Sequence, residues 1–260
     1  RCLKLLRKDG IDINLAEVGT SEPKAYAPLA KGLTAGVFQL ESSGMRDALR
    51  KLAPDSIEEL TAIISLYRPG PMRNIPDFIE RKYGRQEISY PHPKLKDLLE
   101  ETYGIIIYQE QVMEIAKILS GFSLGDADLL RRAMGKKDQA EMDRQRGKFV
   151  DGAVMRGVDR HQAAGIFDLV NEFAGYGFNK SHAAAYALIS FQTAYLKALY
   201  PAHFIAAMMS LDLSVVEKLS FFFQEAKRIG VEILSPCVNR SMADFDVIDG
   251  KVLYALGALK

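Results

Sequence analysis

The sequence has no tryptophan, two cysteines and four histidines in 260 residues. Cys2 and Cys237 stand near opposite ends, so they have neither metal-ligand spacing nor the Cys-x-x-Cys spacing of a redox pair. His92, His161, His182 and His203 are equally scattered. The simple reading is a chain without structural zinc in a reducing compartment, and a cytoplasmic location is expected. Charge of one sign is lacking as well: 34 basic residues face 33 acidic ones, for a net charge of +1. Domains that coat nucleic acid commonly have a pI above about 9, whereas this chain has 7.9, so any phosphate contact must be local. Long apolar runs are missing too. The run 183–189 has seven residues, against roughly 18 for a membrane helix, and no membrane partner is expected. Balanced charge and the lack of tryptophan also disfavour an RNA-binding protein, which would interleave aromatics with a basic face. No P-loop, dinucleotide fingerprint or Ser-His-Asp order is present.

What remains is an ordinary globular composition, 48% apolar and 26% charged, in a chain long enough for one large domain or two smaller ones. It begins Arg1-Cys2-Leu3 with no leader and stops at Gly257-Ala258-Leu259-Lys260 inside structured-looking sequence, so both ends read as cuts in a longer protein.

Helical periodicity dominates. Met45, Leu49 and Leu52 share one face, and Pro54-Asp55-Ser56 caps a second helix that runs to Leu66 and stops at Arg68-Pro69-Gly70-Pro71. Tyr90-Pro91-His92-Pro93 is a turn. The spacing predicts a helix over 109–120. Ser123 with Asp126 forms a capping box for the next helix, which should end at Gly135 as a left-handed cap. Asp138 with Glu141 repeats the box and opens a helix of about five turns, to near Arg156. Further helices are expected over 160–173, 180–199, 202–211 and 215–229. Short strands follow at 231–234, 245–248 and 252–256, with a hairpin turn at Asp249-Gly250. The fold class is therefore mainly α, with a small β region at the end, and the change of period near Gly230 is the best boundary.

Two features could carry chemistry. Arg131, Arg132, Lys136, Lys137, Arg144, Arg146 and Lys148 outnumber Asp138, Glu141 and Asp143. Such a run is either a solvated helix face or, inside a cleft, a polyphosphate clamp, because guanidinium forks match phosphate oxygens in pairs. The second feature is the run from Gly175 to His182. Its two glycines permit a tight turn, Asn179 can cap a helix, and Lys180 would add charge to amides that attract anions. The polar positions His182, Tyr186, Ser190, Thr193 and Lys197 fall on one stripe of the helix that follows. That stripe either lines a groove or simply faces solvent. Asp126 and Asp128 are explained by a helix start, Phe221-Phe222-Phe223 by the core or an interface, and Asp244 with Asp246 by alternation on an exposed strand edge rather than by metal binding.

At these residues the chain resembles a known family. LTAGVFQLESSGMRD from Leu33, SLYRPGPM from Ser65, ISYPHP from Ile88, ETYGIIIYQEQVMEIA from Glu101, LLRRAMGKK from Leu129 and FAGYGFNKSHAAAYALISFQTAYLKALYP from Phe173 resemble the bacterial replicative DNA polymerase III alpha subunit, in order. The resemblance implies a fingers region. On it, 1–32 is a variable connector after the palm, 33–230 is the helical fingers domain, and 231–260 is a short β segment leading into the next domain. It implies nucleotidyl transfer by the parent, with Mg²⁺ held by palm aspartates outside this chain, so neither catalytic residues nor metal ligands are expected here and the fragment alone should be inactive. Primer-template DNA, the deoxynucleoside triphosphate and other domains of the polypeptide are the expected partners, with the sliding clamp and replisome subunits reached through regions outside the chain. Arg131, Arg132 and His182 match the family's nucleotide pocket. Helix geometry extends that set to Lys180, Asn179 and Tyr186, and Lys136, Lys137 and Arg68 are possible DNA or phosphate contacts. The competing reading is a non-catalytic helical module that binds polyphosphate, nucleic acid or protein.

Overall fold

The computed structural model describes residues 1–136, 138–173 and 176–259. Thirteen α-helices are found among them: α1 (Cys2–Lys8), α2 (Pro23–Ala30), α3 (Ser43–Leu52), α4 (Ile57–Leu66), α5 (Ile75–Lys82), α6 (Lys96–Leu99), α7 (Gln109–Ser120), α8 (Leu124–Lys136), α9 (Gln139–Met155), α10 (Arg160–Phe173), α11 (Lys180–Leu199), α12 (Pro201–Leu211) and α13 (Val216–Arg228). Three short strands follow, β1 (Ile233–Leu234), β2 (Asp246–Ile248) and β3 (Lys251–Leu253). The mainly α expectation with a terminal β segment holds. No described helix is long and apolar enough to cross a membrane.

The chain forms two compact units, one made of Arg1–Ile57 with Tyr186–Lys260 and the other of Glu58–Ala185. In the second unit, α7 packs along α8 and α9, and α9 along α10. Each helix offers an apolar stripe: Val112, Ile115 and Leu119 from α7, Leu130 and Met134 from α8, Phe149 and Ala153 from α9, Ile166 and Val170 from α10. Phe149 sits at the centre, 5.4 Å from the Phe167 ring and 6.2 Å from the Phe122 ring. In the first unit, α12 and α13 pack with the sheet around Ile205, Met209, Phe222, Phe245 and Val252. The sheet order is β1-β3-β2, with β3 parallel to β1 and antiparallel to β2. Asp249 and Gly250 both have positive φ, +50° and +73°, as the tight two-residue hairpin requires.

The caps read from the sequence are present where local chemistry demands them. Ser123 Oγ accepts from the Asp126 amide at 3.1 Å, and the Asp126 carboxylate accepts from the Ser123 amide at 3.3 Å. Asp138 accepts from the Glu141 amide at 3.1 Å. Its box does not close: the Glu141 carboxylate turns instead to Arg144 and Gln145. Gly135 is a correction. It does not adopt a left-handed conformation, and α8 continues through it to Lys136, ending where the Asp138 amide turns back to the Ala133 carbonyl at 3.1 Å. Four helices, α1, α2, α5 and α6, lie in stretches where no helix is expected from the sequence; prolines at the starts of α2 and α5 occupy first-turn positions, where no amide donor is needed.

Candidate functional site

The arginine pair is built on a single carboxylate. Arg131 donates from Nε and Nη2 to Asp128 Oδ1 at 3.0 and 2.8 Å, and Arg132 donates from Nε to Asp128 Oδ2 at 2.7 Å. Spacings of three and four residues bring all three side chains to one face of α8. The Arg131 hydrogen bond, followed by the nearby guanidinium charges, holds the Asp128 carboxyl below the usual carboxylate range. The side chains of Arg131 and Arg132 remain 38% and 63% exposed, so donors are left for a ligand. Elsewhere in the cationic run, Lys148 pairs with Asp126, Arg146 with Asp168 and Arg144 with Glu141. That part of the run is an ion-paired, solvated face. Lys136 is exposed at the last turn of α8, where a cation complements the helix dipole. Lys137 lies outside the described residues.

The start of α11 is held from several directions. Gly175, the first glycine of the motif, lies outside the described residues. The Phe178 backbone bridges to the start of α7: its carbonyl accepts from the Gln109 amide at 2.9 Å, and its own amide donates to the Ile107 carbonyl at 3.3 Å. Asn179 caps the helix as expected, its Oδ1 accepting from the His182 amide at 2.8 Å. The amide end does not stand free to attract an external anion. Glu110 reaches it first, accepting from Asn179 Nδ2 at 2.8 Å and from the Lys180 amide at 2.9 Å. Lys180 Nζ pairs with Glu101 at 2.7 Å and lies 5.4 Å from the centre of the Tyr108 ring. The His182 ring meets the Phe178 ring edge-on at 5.4 Å.

Arg68 completes this cluster from the other side. Its guanidinium stacks on Phe178 at 4.2 Å, donates to the Tyr176 carbonyl at 2.7 Å and to the Ser65 carbonyl at 3.2 Å. Partial burial pulls its pKa below the usual guanidinium value. Gly70 adopts φ +102°, and a Cβ there would overlap the Tyr176 ring, which is why the Pro69-Gly70-Pro71 turn can lie so close to the loop before α11. Arg68 thus joins the turn after α4 to the motif that opens α11.

His182, at the head of the polar stripe of α11, is exposed, but from Tyr186 onward the stripe packs against protein backbone rather than lining a groove or facing solvent, which corrects both readings for that part of it. Ser190 and Lys197 are buried. Ser190 Oγ donates to the Phe38 carbonyl at 2.8 Å, Thr193 Oγ1 accepts from the Phe38 amide at 3.2 Å, and Lys197 Nζ donates to the Ala35 carbonyl at 2.7 Å. Tyr186 belongs to the same set, its ring 5.3 Å from Phe38. The stripe satisfies the polar backbone of residues 35–38, while Ala184, Ala185, Leu188 and Ile189 are exposed. Tyr186 therefore falls in the first unit, whereas Arg68, Arg131, Arg132, Asn179, Lys180 and His182 all fall in the second.

The acidic pair near the sheet is also corrected in part. Asp244 is exposed and pairs with Arg1, but Asp246 is buried, pairs with Lys8 and accepts from the Val247 amide at 2.9 Å. Among the described residues no group of three or more His, Cys, Asp or Glu could hold a metal ion. Of the three adjacent phenylalanines only Phe222 is core; Phe221 and Phe223 are exposed. The residues the sequence reasoning missed are Glu110, Glu101 and Asp128. Asp128 was legible, since an acid three and four residues before two arginines is a standing ion-pair signal. Glu110 had no local signal, because its partners lie 69 and 70 residues further on.

Comparison with known proteins gives a consistent answer. The bacterial DNA polymerase III alpha subunit finger domain matches residues 1–157. The DNA polymerase III alpha subunit of Caulobacter vibrioides is 59% identical over all of this chain, which covers 23% of that protein. Those of Borreliella burgdorferi and Escherichia coli K12 are each 50% identical over 98% and 95% of the chain, which covers 22% of either. The chain thus spans between a fifth and a quarter of the length of these curated relatives.

Proposed function

The chain belongs to the bacterial DNA polymerase III alpha subunit family, as finger-domain sequence, and we propose that its arginine pair grips the triphosphate of the incoming deoxynucleotide. The observation that carries this reading is the presentation of Arg131 and Arg132 side by side on α8, oriented by one carboxylate and still partly exposed. Two guanidinium groups at fixed spacing suit the oxygens of adjacent phosphates. Each contact is worth about 1 kcal/mol in open water and about 4 kcal/mol where the effective dielectric falls near 20, so the grip acts when the parent's other domains and the DNA close over it. His182, at the start of α11, lines the same pocket, and the exposed Lys136 lies near the nucleic acid.

The reaction of the parent is nucleotidyl transfer. The primer 3′-hydroxyl gives up its proton to solvent as its oxygen bonds to the α-phosphorus, the bond from that phosphorus to the oxygen bridging it to the β-phosphorus breaks, and pyrophosphate leaves with that oxygen and the negative charge. The fingers contribute charge neutralisation on the β and γ phosphates and alignment of the nucleotide against the template. The Mg²⁺ ions expected for the parent find no suitable ligand set among the described residues, where Asp244 and Asp246 are held by Arg1 and Lys8. They belong to the palm, outside this chain. Replication in the bacterial cytoplasm, with primer-template DNA and replisome subunits as partners, follows from the same reading.

The test is Arg132→Ala in the full-length parent, measured by single-turnover nucleotide incorporation. Losing a charge-stabilising donor of this kind costs about 10²–10³ in rate. An unchanged rate would overturn the assignment of the triphosphate to this arginine.

A further inference from the structure

We propose that Glu110 is a positioning residue for nucleotide binding: it fixes the amino end of α11, and through Asn179 the backbone at His182. It occupies the place an external anion would otherwise take. The inference rests on the reading that His182 lines the nucleotide pocket. Both carboxylate oxygens are committed, Oε1 to Asn179 Nδ2 at 2.8 Å and Oε2 to the Lys180 amide at 2.9 Å. Asn179 then uses its other polar atom, Oδ1, to accept from the His182 amide at 2.8 Å. The result is a continuous chain of hydrogen bonds from α7 to the residue that enters the pocket.

The arrangement is electrostatically favourable. α11 has 20 residues, and a carboxylate at the positive end of a helix makes charge-assisted bonds with amides that would otherwise lack partners. Lys180 Nζ is engaged nearby by Glu101 at 2.7 Å. A helix start that already holds a carboxylate, with its flanking ammonium paired, repels a second anion rather than receiving a phosphate. The triphosphate therefore falls to Arg131 and Arg132. Asn179 and Lys180 act on it only through the placement of His182. Because Glu110 lies in the first turn of α7, and α7 packs along α8, the same helix supports both sides of the pocket.

The experiment uses the full-length parent. Glu110→Gln keeps the shape but can no longer accept from both donors. Deoxynucleotide affinity in single turnover is expected to weaken about tenfold, with affinity for primer-template DNA unchanged. Combined with His182→Ala, the added loss from Glu110→Gln should fall below about twofold, because residues acting through one another are not additive. Asn179→Ser, which keeps the cap acceptor but removes the donor to Glu110, should weaken nucleotide binding to the same extent and provides the test if Glu110→Gln does not fold. Tighter nucleotide binding in Glu110→Gln would overturn the proposal, since it would make Glu110 a competitor displaced by phosphate. Full additivity with His182→Ala, or parental affinity in Asn179→Ser, would overturn it as well. A different outcome, His182→Ala with parental nucleotide affinity, would refute the pocket reading of His182 on which the proposal stands.

Discussion

Replacing Lys197 with methionine perturbs the most deeply buried ion pair described in the structure. The Lys197 and Glu225 side chains are 2% and 4% exposed, with Nζ 2.6 Å from Glu225 Oε1. Nζ also donates to the Ala35 carbonyl at 2.7 Å. Burial lowers the Lys197 pKa, and the Glu225 hydrogen bond and charge oppose that change. Methionine fills similar space but leaves Ala35 without that donor and Glu225 with one cation fewer. Breaking a buried pair by removing one partner costs about 3–5 kcal/mol. The lower end applies here, because Arg228 still donates to Glu225 Oε2 at 2.8 Å from Nε. At about 2–4 °C per kcal/mol for a chain of this size, a loss of about 3 kcal/mol lowers the melting temperature by roughly 6–12 °C. Arg160→Met is the control: it breaks the Arg160–Asp151 pair, whose side chains are 66% and 58% exposed, and should cost less than about 1 kcal/mol. Thermal unfolding of the two variants followed by circular dichroism decides the matter. A melting temperature for Lys197→Met no lower than that of Arg160→Met would refute the argument that burial makes this pair matter. Pairing Lys197→Met with Glu225→Leu should restore most of the loss, since Arg228 is 41% exposed and can take its charge into water.

Further outcomes follow from the same geometry. The Asp128 carboxyl, lowered by the Arg131 hydrogen bond, should titrate below the value of about 3.9 found in unstructured peptides. The stabilisation from holding the arginine pair is therefore fully present above about pH 4 and is lost as pH falls through the lowered value; a carboxyl titration by NMR at or above 3.9 would contradict it. Gly70→Ala forces a side chain into φ +102° against the Tyr176 ring and should cost about 1–3 kcal/mol, read by thermal unfolding; an unchanged melting temperature would show that the turn relaxes freely.

Much of the helical framework was legible because its signals are local. The bounds of α7, α10 and α11 agree with the 3.6-residue period read from the sequence. The caps at Ser123, Asp138 and Asn179 are chemistry among residues three apart. The arginine pair and the residues flanking α11 were visible as well. Less visible were α1, α2, α5 and α6, short helices of four to eight residues, which owe their stability to tertiary packing more than to propensity.

The stripe on α11 shows where sequence reasoning reached its limit. Periodicity determined that Tyr186, Ser190, Thr193 and Lys197 share a face, but a polar face can meet water or buried polar backbone equally well. Only the fold decided that this one satisfies residues 35–38, leaving alanine, leucine and isoleucine on the outside. The same holds for Glu110. Its partners are set by a helix end 69 and 70 residues away, and no spacing rule extends over that distance. Local order in the chain determined which residues are helical and which cationic groups stand together. Which charge neutralises which was decided in three dimensions, because Coulomb attraction and hydrogen bonding depend on separation in space and not along the chain.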